Sequence, residues 1–285
     1  MTGLWLAGPA SAFAQAAYPD AETAARALVD AVQRQDRQAL RHVLGPDWER
    51  FMAPGGADPR DIDAFLDAWR QRHAVEEVKR GLAYLSVGEA GWRLPIPMRH
   101  ADAGWRFDLQ QGEDELRSRR IGRNELSAMQ AARAYVDAQR EYALQDRDGN
   151  GLREYASRLV SRPGQRDGLY WPETPGEDPS PLGPLFAAAQ PGGSGGYHGY
   201  HYRILTAQGP HAPGGAYDYR IGGRMRSGFA LLAWPVRYGH TGIMSFMVNH
   251  DGRVFEKDLG VRTDESARSI QRFNPDAGWR ESPMR

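Results

Sequence analysis

Asp146, Asp148 and Asn150 stand at alternate positions in QDRDGNGLREYA, residues 145–156, and Gly151 follows at once. In an EF-type calcium loop, oxygen ligands come from positions 1, 3 and 5, glycine turns the chain at 6, and position 7 gives its carbonyl. Asp146, Asp148, Asn150, Gly151 and the Leu152 carbonyl meet those requirements, and Glu154 takes position 9, where a ligand often acts through water. Position 12, which calls for an acid, is Ser157. Calcium held by Asp146, Asp148, Asn150, Leu152 and Glu154 would therefore bind in the weak extracellular range of about 10⁻⁴–10⁻³ M. The other reading is a helix-to-helix turn, in which Asp and Asn side chains bond nearby backbone N–H groups and glycine takes positive φ.

A second candidate is GYHGYHY, residues 196–202, with His198 and His201 three apart among tyrosines. On a helix both imidazoles would share a face and suit zinc or copper. In a strand they fall on opposite faces, and the aromatic density favours a strand. A third is the long loop RDGLYWPETPGEDPSPLGPL, residues 166–185. Its Tyr170 and Trp171, with His198 and His201, suit a binding lip for a protein or glycan partner, or else they pin the loop to a sheet. A competing enzymatic reading is a periplasmic hydrolase that uses His198, His201 or His250 with Glu173, Glu177 and Asp178 from the loop. GGSGG, residues 192–196, satisfies the letter of the serine-elbow motif. Pro191 precedes it and a strand is expected after it, so it reads as a flexible connector. No zinc-protease, Walker or dinucleotide fingerprint occurs.

These residues need elements to hold them. Ala24, Leu28, Ala31 and Val32 recur at helical spacing, and Asp36 opens a second helix that ends at Gly45. Another helix is expected over residues 58–78, with Pro59 near its start and Ile62, Phe65, Leu66 and Trp69 on one face. Short Gly-punctuated strands follow at LAYLSVG, GWRLPIPMRH and GWRFDL, and Trp48, Trp69, Trp92 and Trp105 occupy core-like positions. Residues 113–145 read as one helix, with Gly122 as its weak point and Leu126, Met129, Ala132, Val136, Gln139 and Ala143 as its packing stripe. A short helix is expected at LREYASRLV. Strands follow at YHYRILTAQ, AYDYRI, GFALLAWPV, GIMSFMVN and RVFEKDL, and a helix at TDESARSIQRF.

Composition narrows the function classes. Lys+Arg 36 against Asp+Glu 36 leaves no surplus of cations to displace phosphate counterions, which argues against nucleic acid. With no cysteine there is no thiol nucleophile, Cys-ligated metal or disulfide. The apolar run from Leu4 to Ala7, then AFA and AQA at residues 12–16, reads as the tail of a secretory signal, which points to the periplasm. No stretch reaches the roughly 20 apolar residues of a membrane span.

Helices followed by a small meander, over about the first third of the chain, resemble the cystatin-like or NTF2-like cone fold. The later order of long helix and antiparallel sheet, with REYA, GYHYRI, AWP and GIMSFMVNHDGRV, resembles the soluble part of type IV pilins and pseudopilins. More specific are IGRNELSAMQAARAYVDAQREYA, RDGLYWP, SPLGPL, GYHGYHYRILTAQG, GGAYDY, GFALLAWP and MSFMVNHDGRVFEKDLG. They resemble the bacterial envelope family catalogued as domain of unknown function 2950. That likeness implies a secretory context and brings no catalytic residues with it. The expected protein is thus α+β: a signal remnant at 1–16, a cone-like domain at 17–110, and a helix-plus-antiparallel-sheet domain at 111–285. Its expected role is a non-catalytic envelope module that binds a protein or glycan, with calcium as the candidate ion.

Overall fold

The computed structural model describes residues 15–51, 58–147, 149–176, 178–187 and 196–282. Asp148, Glu177, residues 192–195 and the apolar start through residue 14 lie outside the described residues. The chain is mixed α+β and divides into two compact units between Ser118 and Arg119. No helix among the described residues is long and apolar enough to cross a membrane.

In the first unit, aspartates start each helix by accepting backbone N–H groups that would otherwise be orphaned. Asp20 caps α1 (Ala21–Gln33), Asp36 caps α2 (Arg37–Leu44), and Asp58 caps α3 (Pro59–Gln71), where Pro59 spends no donor. The helix expected to run through residue 78 stops at Gln71. His73–Lys79 forms strand β1, because pairing with β2 (Leu82–Val87) overrides the local helical pattern. The sheet continues with β4 (Met98–Ala101) and β5 (Gly104–Phe107), and the two-residue β3 (Trp92–Arg93) lies on β2. Its core gathers Ala24, Leu28, Trp48, Leu85, Met98 and Phe107. Trp92 does not join it. On the short β3 its ring is 49% exposed and meets the edge of Phe65 at 6.4 Å.

The division between the units falls inside α4 (Leu109–Tyr142), which runs unbroken through Gly122. Its buried face carries Ala128, Ala132, Tyr135, Val136, Gln139 and Tyr142, while Leu126 of the expected stripe is half exposed. The alanines leave room for the two tyrosines to provide the packing volume, so the heaviest aliphatic residue was a poor guide to the face.

The expected short helix at residues 152–160 is absent. The chain there is extended and ends in β6 (Arg158–Val160), paired parallel with β7 (Gly168–Tyr170). Long-range partners explain the difference. The buried Gln139 amide donates to the Ala156 carbonyl (2.9 Å) and accepts the Ala156 N–H (2.8 Å), and the Tyr155 N–H bonds to the Met225 carbonyl (2.8 Å). Gln139 also donates to the Tyr135 hydroxyl, which donates to the Ala230 carbonyl.

After α5 (Pro184–Ala187) come β8 (Tyr200–Leu205), β9 (Ala207–Gln208) and the small ladders β10 (Tyr217–Asp218), β11 (Arg220–Ile221) and β12 (Arg224–Met225). Next are β13 (Ala230–Pro235), β14 (Met244–Asn249), β15 (Val254–Asp258), α6 (Thr263–Ser269) and β16 (Arg280–Glu281). The main sheet is antiparallel in the order β16-β15-β14-β13-β8. Residues directly opposite each other in such a ladder share a face. Tyr202, Ala233, Phe246 and Glu256 form one row, on the α4 side. His201 and Trp234, then Ser245 and Lys257, lie on the other side, where α6 packs.

The expected terminal helix ends early, at Ser269. Fully buried Phe273 is held in strand fashion instead: its N–H bonds to the Ala207 carbonyl and its carbonyl accepts from Gly209. On the α4 side, Gly242 leaves space for Tyr200. A Cβ at 242 would come within 2.1 Å of the Tyr200 hydroxyl, which is buried and donates to the Met244 carbonyl (2.8 Å).

Candidate functional site

The loop after α4 is closed by its own hydrogen bonds. The Asp146 carboxylate accepts from Asn150 N–H (3.1 Å) and Gly151 N–H (2.7 Å), and Asn150 Oδ1 accepts from Leu152 N–H (2.8 Å). Gly149 and Gly151 have φ of +72° and +84°. Glu154 turns inward, where its Oε1 takes the Asn150 amide (3.1 Å) and the Arg224 guanidinium (2.8 Å); its Oε2 is buried without a hydrogen-bond partner among the described residues. Extended chain follows, so this is a turn from a helix into a strand-like segment and not between two helices. Among the described residues no group of three His, Asp or Glu side chains is arranged to hold a metal ion.

The aromatic loop directs its indole inward. Trp171 is 4% exposed, its Nε1 donates to the Asp178 carbonyl (3.2 Å), and the Arg147 and Arg166 guanidinium groups lie 5.8 and 5.5 Å from its ring. Tyr170 is half-buried beside it.

The histidines are dispersed. His198 sits in the turn before β8 at φ +51°, against Tyr197. His201 lies under α6. His250 follows β14 and packs against Tyr219 and Phe229. By register His250 is five residues along from the row of His201 and Trp234, about 17 Å at strand spacing. No joint imidazole site forms from these two.

What the second unit does build is a groove of about 460 Å³ beside α6. Met247, Leu259 and Ile270 give it an apolar floor. Ser266, Ser269, Gln271, Arg272, Asn274, Lys257, Asp276 and Trp279 complete the lining. One cation fixes the α6 wall. Arg203, reaching up from β8, donates to the carbonyls of Ala267 (2.8 Å), Arg268 (3.3 Å) and Ile270, and so satisfies the helix end. The same guanidinium lies 5.7 Å from the Trp234 ring, and Trp234 Nε1 donates to Asp264 of α6 (3.0 Å). In the first unit, a hollow of about 450 Å³ between α1 and α3 has its cations already matched, Arg26 by Glu22 and Arg70 by Asp67.

None of the groove residues was legible as a site, because they come from strand, helix and loop at no fixed spacing. The only trace is NPDAGW, residues 274–279, a turn-forming run that delivers a tryptophan.

His201, beneath the α6 wall, is nearly buried and its Nδ1 lacks a hydrogen-bond partner among the described residues. Burial holds its pKa below the ordinary value, Asp264 opposes that, and Arg268 adds to it. The folded state therefore resists a proton that the unfolded chain accepts near pH 6.5. This contribution to stability is full above that pH and is lost as pH falls towards the folded pKa. Between pH 7.5 and 5.5 the melting temperature of the wild type should fall further than that of His201→Phe. Equal falls in a thermal scan would refute the assignment.

No curated protein and no solved structure matches this chain. The family model described as "Protein of unknown function (DUF2950)" matches residues 15–282, nearly all of the sequence, and the chain belongs to that family.

Proposed function

We propose that this is a secreted, non-catalytic envelope protein that binds a glycan in the groove beside α6. The observation that carries the reading is the groove's lining: hydroxyl, amide, carboxylate and cationic side chains around an apolar floor, in a space of about 460 Å³. Each sugar hydroxyl needs both a donor and an acceptor, and this mixture offers both. A peptide added as a strand would need an open sheet edge. Of β15, Phe255 and Glu256 are paired on both sides, with β14 and with β16, and only Lys257 and Asp258 have one side open, too short an edge for an added strand, which favours sugar over peptide. Export to the periplasm rests on the small-residue pattern at residues 12–16.

The test is a calorimetric screen of short oligosaccharides, neutral and acidic, against the wild type and Ser269→Trp. Ser269 is exposed on the groove wall, so the indole should obstruct the groove without entering the core. Saturable binding of at least one sugar by the wild type is expected, weakened at least tenfold in the variant. Absence of saturable binding, or equal binding by both proteins, would refute the reading.

A further inference from the structure

Charge around the groove is not balanced. Asp264 is taken by Arg268 (2.8 Å), and Asp276 is paired with Lys257 (3.7 Å) while also accepting the Gly278 N–H (2.9 Å). Arg203 spends its donors on backbone carbonyls, which carry no net charge. Arg272, exposed on the groove lining, makes no hydrogen bond or ion pair with any described residue. Arg203 thus meets no carboxylate among the described residues, and Asp218, the carboxylate on which Arg272 acts, is already paired with Arg220 (2.9 Å).

Lys257 is held in place. Its side chain is 31% exposed, its ammonium lies 5.9 Å from the Trp279 ring, and the backbone passes beneath it at Gly278. A Cβ at Gly278 would come within 2.6 Å of Nζ and 3.1 Å of Asp276 Oδ1. The missing side chain is what lets the ammonium sit against that wall.

A neutral sugar would leave this excess of positive charge uncompensated, whereas a carboxylate would complete it through charge-assisted hydrogen bonds. We infer that the groove takes a saccharide bearing a carboxylate, with Arg272 and Lys257 reading the acid. This inference rests on the glycan reading and adds to it the class of sugar.

The test uses the full chain and calorimetric titration with two acidic probes, trigalacturonate and an N-acetylmuramic acid disaccharide, each beside its neutral methyl ester. Three variants accompany the wild type: Arg272→Gln, Lys257→Met, and Gly278→Ala, which displaces the flexible end of Lys257 and crowds the Asp276 carboxylate beside it. Melting temperatures check that each is folded. At least one acid should bind the wild type tenfold or more tightly than its ester, with a preference that weakens as salt rises. Arg272→Gln and Lys257→Met should cut that preference below threefold, and Gly278→Ala should reduce it. Equal binding of acids and esters would overturn the carboxylate inference and leave the glycan reading standing. A preference for acid that survives in both charge variants would also overturn it. If no probe binds while other sugars do, only the carboxylate inference falls; if no sugar of any kind binds, both readings fall.

Discussion

Gln139→Leu is expected to lower the unfolding free energy of the second unit by about 3 kcal/mol or more. The wild-type amide makes three hydrogen bonds in a fully buried setting: it donates to Tyr135 Oη and Ala156 C=O, and accepts from Ala156 N–H. Leucine fills nearly the same volume but leaves both backbone groups of Ala156 unpaired and away from water. Each buried orphan costs about 1–3 kcal/mol. For a unit of this size, such a loss lowers the melting temperature by roughly 6–12 °C. Because Gln139 joins α4 to the extended segment, hydrogen exchange at Tyr155 and Ala156 should rise more than exchange in the main sheet. Denaturant unfolding beside an exposed control, Glu141→Ala, measures the effect. A loss below about 1 kcal/mol would mean that water replaces the amide.

Trp234→Ala should destabilise by about 3–5 kcal/mol, the usual range for emptying a buried aromatic site. Trp234 is completely buried near the end of β13, and three groups depend on it. His201 lies tilted against it at 5.5 Å, Arg203 rests over its ring, and Asp264 accepts its Nε1–H. Trp234→Phe separates packing from anchoring, since it retains most of the apolar volume and gives up the bond to α6. That variant should lose about 1.5–3 kcal/mol, the range for a hydrogen bond to a charged group. It should also weaken sugar binding in the groove, because the α6 wall loses one of its two ties to the sheet. Equal stability of Trp234→Phe and wild type would show that the Asp264 bond contributes nothing net.

How much of this was legible depended on how local the cause was. Asp20, Asp36 and Asp58 mark their helix starts because a cap is settled within three residues. The strands around Ala230–Pro235 and Met244–Asn249 were readable because they are apolar runs bounded by turn residues. Residues 73–78 and 152–160 misled because their conformation is decided by partners outside the segment, the neighbouring hairpin strand β2 for one and Gln139 with Met225 for the other. Trp92 misled because size and hydrophobicity suggest a core, while a two-residue edge strand offers none. The groove was invisible for a related reason: Lys257, Arg272, Asp276 and Trp279 converge only through the ladder, α6 and the turn that follows it.

The contact between Gly242 and Tyr200 bears on how the family can vary. An alanine at 242 would place its methyl 2.1 Å from the Tyr200 hydroxyl and 2.6 Å from Cζ, and the ring, fully buried, has nowhere to retreat. The two positions, 42 apart in sequence, are therefore free to change only together. A member with a larger residue in place of Gly242 must carry a smaller one in place of Tyr200, and then it also forfeits the bond to the Met244 carbonyl. Across many members this pair should appear as a linked substitution, the trace in ancestry of a single steric contact.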